Sequence, residues 1–209
     1  MVNLLEISSI MRNNDNNRVG GRAAVARSGG KLAVTAAAVL AASLFSAGVH
    51  AQASQGTQGG VSVHAGAGDH YQRLGINYET PSFWTHRFGS DWGRLDLVGE
   101  LGVAYWQADG SRHAGHVWQL NAIPMLRWWL GASERMYLEA GVGPTLFSTT
   151  RFADENISTA FQFGDHFGAG FLINDANRIG IRYSHFSNAS IKRPNPGLDV
   201  IQLTYTYQF

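Results

Sequence analysis

From residue 60 to the end of the chain, apolar and polar side chains alternate with a period of two, in segments separated by turn-forming residues. Such alternation predicts strands with one apolar and one polar face. Eight segments emerge, at 60 to 69, 71 to 84, 94 to 107, 116 to 130, 136 to 149, 160 to 173, 179 to 188 and 198 to 209. In the third, Leu95, Leu97, Leu101, Val103 and Tyr105 oppose Asp96, Glu100, Gly102 and Ala104. In the fourth, Trp118, Leu120, Leu126 and Trp128 oppose Gln119, Asn121 and Arg127, with Ile123 and Met125 as exceptions. The last two are the clearest. Ile179, Ile181, Tyr183, His185 and Ser187 stand against Gly180, Arg182, Ser184 and Phe186; Asp199, Ile201, Leu203, Tyr205, Tyr207 and Phe209 stand against Gln202, Thr204, Thr206 and Gln208. Asp165 falls on the apolar side of the sixth segment, where a bulge, a slipped register or a polar contact near a rim would account for it.

Past Ala53 no stretch approaches the roughly 20 apolar residues that a spanning helix needs, which excludes a helical membrane protein. Tilted strands of about ten residues cross a bilayer, and the segments have that length. An all-β fold follows: an eight-stranded antiparallel transmembrane β-barrel of the bacterial outer membrane. A soluble sandwich or a lipocalin-like barrel would show the same alternation with its apolar face inward. Three features oppose that. Aromatic residues gather towards segment ends, the opposing positions are charged or glycine, and the chain closes on Tyr207, Gln208 and Phe209. The 25 glycines suit a narrow lumen crowded by Arg, Asp, Glu and Gln, filled by side chains and not an aqueous channel. Pro124 and Pro144 sit inside strands that have no free edge, so the ladder should be distorted there.

The first part of the chain reads as an address. Arg22, Arg27 and Lys31 precede an apolar, small-residue run, and cleavage is expected after Ala51 or Ala53. Met11, followed by Arg12, is an alternative start to Met1 that would leave a more ordinary signal. Residues 1–51 are therefore expected to be a signal peptide and 52–209 a single barrel domain. After residue 51 the chain holds 11 Lys plus Arg against 13 Asp plus Glu, so the overall charge of +1 belongs to the signal and nothing favours nucleic acid. There are no cysteines, hence neither disulfides nor thiolate chemistry.

An even strand count puts both termini on the periplasmic side, and the longer polar connections near 108 to 115, 150 to 159 and 189 to 197 on the outside. His185, Ser187 and Asp199 then lie on the outer wall near the outer rim, at the depth of the lipid A portion of lipopolysaccharide. Ser187 becomes a nucleophile only when a base takes its proton. His185, two positions away on the same face, is the candidate base, and Asp199 on the next strand is the acid that would fix its tautomer. Ionisable groups in line with Ile and Tyr on a lipid face are a functional signal, although the cost of placing them there falls near the rim. The bland alternative is a strand end entering a polar loop. His64, His70, His86, His113, His116 and His166 have no ligand spacing, so neither metal nor cofactor is expected.

The stretch RYSHFSNASIKRPNPGLD resembles the motif of the lipid A 3-O-deacylases, the PagL family, in which a strand carries His-x-Ser-Asn followed by an Asn-Pro-Gly loop. The resemblance is specific over about 179 to 209. It implies Ser187 as nucleophile, His185 as general base, and an oxyanion site from the Ala189 N–H and the Asn195 side chain, with Asn188 in support. The family's usual glutamate is replaced by Asp199. Turn chemistry alone would also explain Asn188, Asn195 and Gly197, with Pro194 and Pro196 stiffening the loop. Lys192 and Arg193 are candidates for lipid A phosphates. The expected function is hydrolysis of the 3-O-linked 3-hydroxyacyl chain of lipid A in lipopolysaccharide. The alternatives are a lipid A acyltransferase and a non-enzymatic adhesion or structural barrel. The partners expected are that substrate and the outer membrane lipids; apolar walls permit a homodimer without requiring one.

Overall fold

Each segment of alternating polarity contains a long strand in the computed structural model, which describes residues 57–110, 112 and 114–209. The expected signal at 1–51, its cleavage sites at Ala51 and Ala53, the alternative start and His113 lie outside the described residues. The strands are β1 (Gly60–Gly68), β2 (Tyr71–Glu79), β3 (Trp84–Arg87), β4 (Arg94–Ala108), β5 (His116–Leu130), β6 (Met136–Phe147), β7 (Arg151–Phe152), β8 (Glu155–Asn156), β9 (Phe161–Asn174), β10 (Asn177–Ser187) and β11 (Leu198–Gln208). Each of the eight long strands pairs antiparallel with its neighbour in the ring β1, β2, β4, β5, β6, β9, β10, β11. Pairing of β11 back onto β1, from Gly60 with Gln208 to Ala67 with Ile201, closes the barrel. Closure removes the free edges that an open sheet would expose.

Two departures from regular pairing have proline at their centre. The expected strand at 71 to 84 is interrupted: Glu79 faces Glu100 and Trp84 faces Leu97, so two extra residues bulge out around Pro81 before β3 resumes the ladder on β4. Between β5 and β6, pairing stops after Asn121 with Thr145 and resumes at Met125 with Gly141, without a change of register. Pro124 and Pro144 lie in that gap, where the missing N–H groups would have been needed. The connection from β6 to β9 also carries a small hairpin, β7 with β8, that alternation could not predict from two-residue strands.

The polar face points inward. At mid-barrel Arg182 donates to Glu100 at 2.8 and 3.0 Å and to Glu139 at 2.7 Å. Arg127 reaches Glu79 at 2.6 Å and Glu139 at 2.9 Å, and Arg178 also binds Glu79. Below this network Asp96 accepts from the Thr57 hydroxyl at 2.6 Å, Arg94 at 3.1 Å and the Trp129 indole at 3.1 Å. Ile123 and Met125, the exceptions to polar alternation in β5, do turn inward, where they pack on Val98 as a small apolar cluster. The end of the lumen beside the long connections is stoppered by Tyr71, Trp106, Phe147, Phe152, Phe186 and their neighbours. The exterior is apolar, with Leu203 and Ile201 among its most exposed side chains.

Buried charges persist only when paired, and removing one partner strands the others at a cost of about 3–5 kcal/mol. Arg182→Ala should therefore lower the unfolding free energy of the barrel by about that amount. Its outward neighbour Ile181, exposed on the wall, should tolerate Ala with a far smaller loss. Denaturant titration of both variants in lipid vesicles checks the contrast, and equal midpoints would contradict the assignment of faces.

Candidate functional site

Strand β10 carries Arg182 into the lumen and, on its other face, brings Tyr183, His185 and Ser187 to the exterior. Pairing sets His185 directly opposite Asp199 on β11. The main-chain N–H and C=O of Asp199 are both bonded to the Tyr71 hydroxyl, on the side of β11 away from β10. His185 and Asp199 are therefore a pair without mutual main-chain hydrogen bonds, the class in which facing side chains approach most closely. A carboxylate on the short aspartate stem thus reaches the imidazole: His185 Nδ1 lies 2.7 Å from Asp199 Oδ1. The same oxygen accepts the Tyr183 hydroxyl at 2.6 Å. With Nδ1 donating to the carboxylate, Nε2 is left as the basic nitrogen.

Ser187 is two residues further along the same face, where side chains of a strand stand about 6 to 7 Å apart. No hydrogen bond joins its hydroxyl to His185 among the described residues. The imidazole lies over the residue that faces Ser187 across the sheet. Continuing the register past Phe186 and Leu198 sets Gly197 opposite Ser187, and a Cβ at Gly197 would meet His185 Cε1 at 2.6 Å and Nε2 at 3.3 Å. The Cε1 edge of the ring therefore lies over the glycine opposite Ser187, with Nε2 and Nδ1 at 3.3 and 3.4 Å from that Cβ position. Gly197 is also at φ 76°, a left-handed conformation that glycine adopts without strain.

Past Ser187 the chain turns sharply, with Ala189 at φ 51° and Ser190 at φ 62°. The turn is stapled by Asn188, fully buried, whose amide donates to the carbonyls of Ile157 at 3.1 Å and Lys192 at 3.0 Å. Its main-chain N–H donates to Asn195 Oδ1 at 3.0 Å, which leaves the Asn195 NH₂ free to donate elsewhere. The Ser158 hydroxyl, from the connection that carries β7 and β8, donates to the Pro194 carbonyl at 2.6 Å. Ala189 and the Asn195 amide thus sit in one braced loop beside Ser187. Lys192 and Arg193 are exposed on that loop and have no ion-pair partner among the described residues.

One acid was not assigned from the sequence. Asp165, the apparent misfit in alternation, faces outward with no bulge at its position, and the register of β9 on β10 sets it opposite His185. His185 is flanked by acidic residues on both neighbouring strands, Asp199 on β11 and Asp165 on β9. Carrying the parity of β9 across to β10 would have revealed it.

Comparison with known proteins covers this region. A family model described as lipid A 3-O-deacylase (PagL) matches residues 70–208. A relative called lipid A deacylase PagL from Bordetella bronchiseptica is 69% identical over 156 residues, spanning 75% of this chain and 86% of the relative. Another of that name from Pseudomonas aeruginosa is 31% identical over 159 residues, spanning 75% of this chain and 89% of the relative. A crystal structure of the outer membrane enzyme PagL superposes with a TM-score of 0.58 at 26% identity, over 72% of this chain and 99% of that one.

The lean of the imidazole makes Gly197 the position where one methyl group tests the arrangement. Gly197→Ala should drive His185 away from Asp199 and abolish the downfield Nδ1 proton resonance, while the barrel stays folded. Nuclear magnetic resonance of the two proteins in lipid nanodiscs reads this, and an unchanged proton signal would contradict it.

Proposed function

Because the chain belongs to the lipid A 3-O-deacylase (PagL) family, an enzyme family of the outer membrane, we propose that it hydrolyses the ester-linked 3-hydroxyacyl chain at position 3 of lipid A with Ser187, His185 and Asp199 on its lipid-facing wall. The observation that carries this reading is the His185 to Asp199 contact of 2.7 Å on the exterior, in line with Ser187. Export by a signal at 1–51, cleaved after Ala51 or Ala53, belongs to the proposal, as does an orientation with the long connections outside the cell. The exterior would then meet the hydrocarbon of the outer leaflet, and a substrate diffusing laterally would arrive at Ser187 without entering the lumen. The apolar wall also permits two copies to pair in the bilayer.

The steps follow from the groups present. Ser187 Oγ attacks the ester carbonyl carbon as its proton passes to His185 Nε2, and Asp199 stabilises the imidazolium. Negative charge develops on the carbonyl oxygen, where the Ala189 N–H and the Asn195 NH₂ donate. Collapse breaks the bond to the lipid A 3-oxygen, which takes the proton from His185. Water then attacks the acyl-serine, giving up a proton to the same nitrogen, and the 3-hydroxy acid leaves as Ser187 recovers its hydrogen. The closing of Ser187 onto Nε2 accompanies substrate binding, since such contacts tighten in the bound complex. Lys192 and Arg193, at the rim, would pair with the phosphates of the headgroup.

Purified, folded protein given lipopolysaccharide should yield lipid A lighter by one hydroxyacyl group in mass spectrometry; an unchanged spectrum would overturn the proposal. A gain in mass would mark an acyltransferase instead. Ser187→Ala and His185→Ala should each lower kcat by at least about 10³-fold, with Asp199→Asn less severe. If both alanine variants retained full activity, the chemistry would reside elsewhere.

A further inference from the structure

Strand β1 ends at Gly68, one residue short of the point where it would pair with the N–H and C=O of Asp199. Two main-chain groups beside the acid would otherwise lack partners in the ladder. A side chain takes the place of the missing strand. The Tyr71 hydroxyl accepts the Asp199 N–H at 2.9 Å and donates to the Asp199 C=O at 2.9 Å. A hydroxyl can do both because it carries one donor and two acceptor sites.

The tyrosine reaches that position from inside. Its ring is buried in the apolar stopper, 5.5 Å from the Trp106 ring and 5.5 Å from that of Phe152. It crosses over Gly68, where a Cβ would meet Tyr71 Cε2 at 2.1 Å and the Asp199 carbonyl oxygen at 2.2 Å. Phe152 belongs to β7, so the small hairpin in the β6 to β9 connection seats the tyrosine. That connection also braces the oxyanion loop, through Ile157 to Asn188 and Ser158 to Pro194.

We propose that Tyr71 is a positioning residue for the acid: across the barrel wall, its hydroxyl fixes the Asp199 backbone so that the short carboxylate stays against His185. The inference rests on the proposed role of Asp199. Without the hydroxyl, the Asp199 main chain loses its partner on the β1 side among the described residues, and the carboxylate can drift from the imidazole. An aspartate has less reach than a glutamate with which to follow such a drift. Tyr71 bonds the Asp199 main chain and not its carboxylate.

The test compares wild type with Tyr71→Phe, which keeps the ring in the stopper, and with Gly68→Ala, whose methyl displaces the Tyr71 ring and the Asp199 carbonyl from each other's reach. Both barrels should remain folded by their heat-dependent gel mobility. Hydrogen exchange of the Asp199 amide should accelerate in each, a readout that requires no catalysis. In deacylation of lipopolysaccharide, kcat should fall about tenfold at unchanged KM, as expected for a misaligned acid. In an Asp199→Asn background, Tyr71→Phe should cost nothing further, because the two act through one contact. Unaltered amide exchange, full kcat in Tyr71→Phe, or an undiminished loss in the Asp199→Asn background would each overturn the inference. If wild type itself released no acyl chain while amide exchange responded as stated, the proposed function would fail and the tether would stand.

Discussion

Everything in this barrel depends on the register of β10 between β9 and β11. A strand has two faces, and a slip of one residue would exchange them. On the inner face Arg182 is held by Glu100 and Glu139, with Arg127 and Glu79 extending the network. Those charges have no tolerable place on the outside of a membrane barrel. The ion pairs that fill the lumen therefore also decide which way Tyr183, His185 and Ser187 project. Specificity of register, more than net stability, is what a buried network of this kind can supply to this protein.

The same register explains how an aspartate, in the proposed role of the acid, reaches the imidazole with its short side chain. Opposite residues that do not exchange main-chain hydrogen bonds sit closest together, and His185 with Asp199 is such a pair. Tyr183 shares the carboxylate oxygen from the outside, and Tyr71 takes the main chain from the inside. Gly197 supplies the space into which the imidazole leans. Three strand ends and one braced loop thus converge on an exterior patch, which suits a proposed substrate that never leaves the bilayer.

Much of this was legible in the sequence, because a period of two is robust over many residues. The eight long strands, the outward set on β10 and β11, and the placement of His185, Ser187 and Asp199 on one face follow from parity alone. What escaped was set by single residues or by distant contacts. The break at Pro81 inserts two residues into a strand that alternation reads as continuous. Ile123 and Met125 seemed misplaced because a lumen was expected to be polar, whereas this one holds an apolar layer with Val98. Asp165 seemed misplaced because its neighbour across the sheet is 20 positions away in sequence. Tyr71, from the other end of the barrel sequence, could not be tied to Asp199 by any local pattern, since the bond depends on where β1 stops.

Strand β10 is proposed to present Tyr183, His185 and Ser187 to lipid. The chain has no native cysteine, so single cysteines at successive positions from 179 to 187 can each carry a spin label without background. Accessibility to oxygen, which concentrates in hydrocarbon, should be measured in bilayers. High values are expected at 179, 181 and 183, declining through 185 and 187 as the rim is approached, with low values at the even positions between. An alternation of opposite phase, or none, would contradict that orientation.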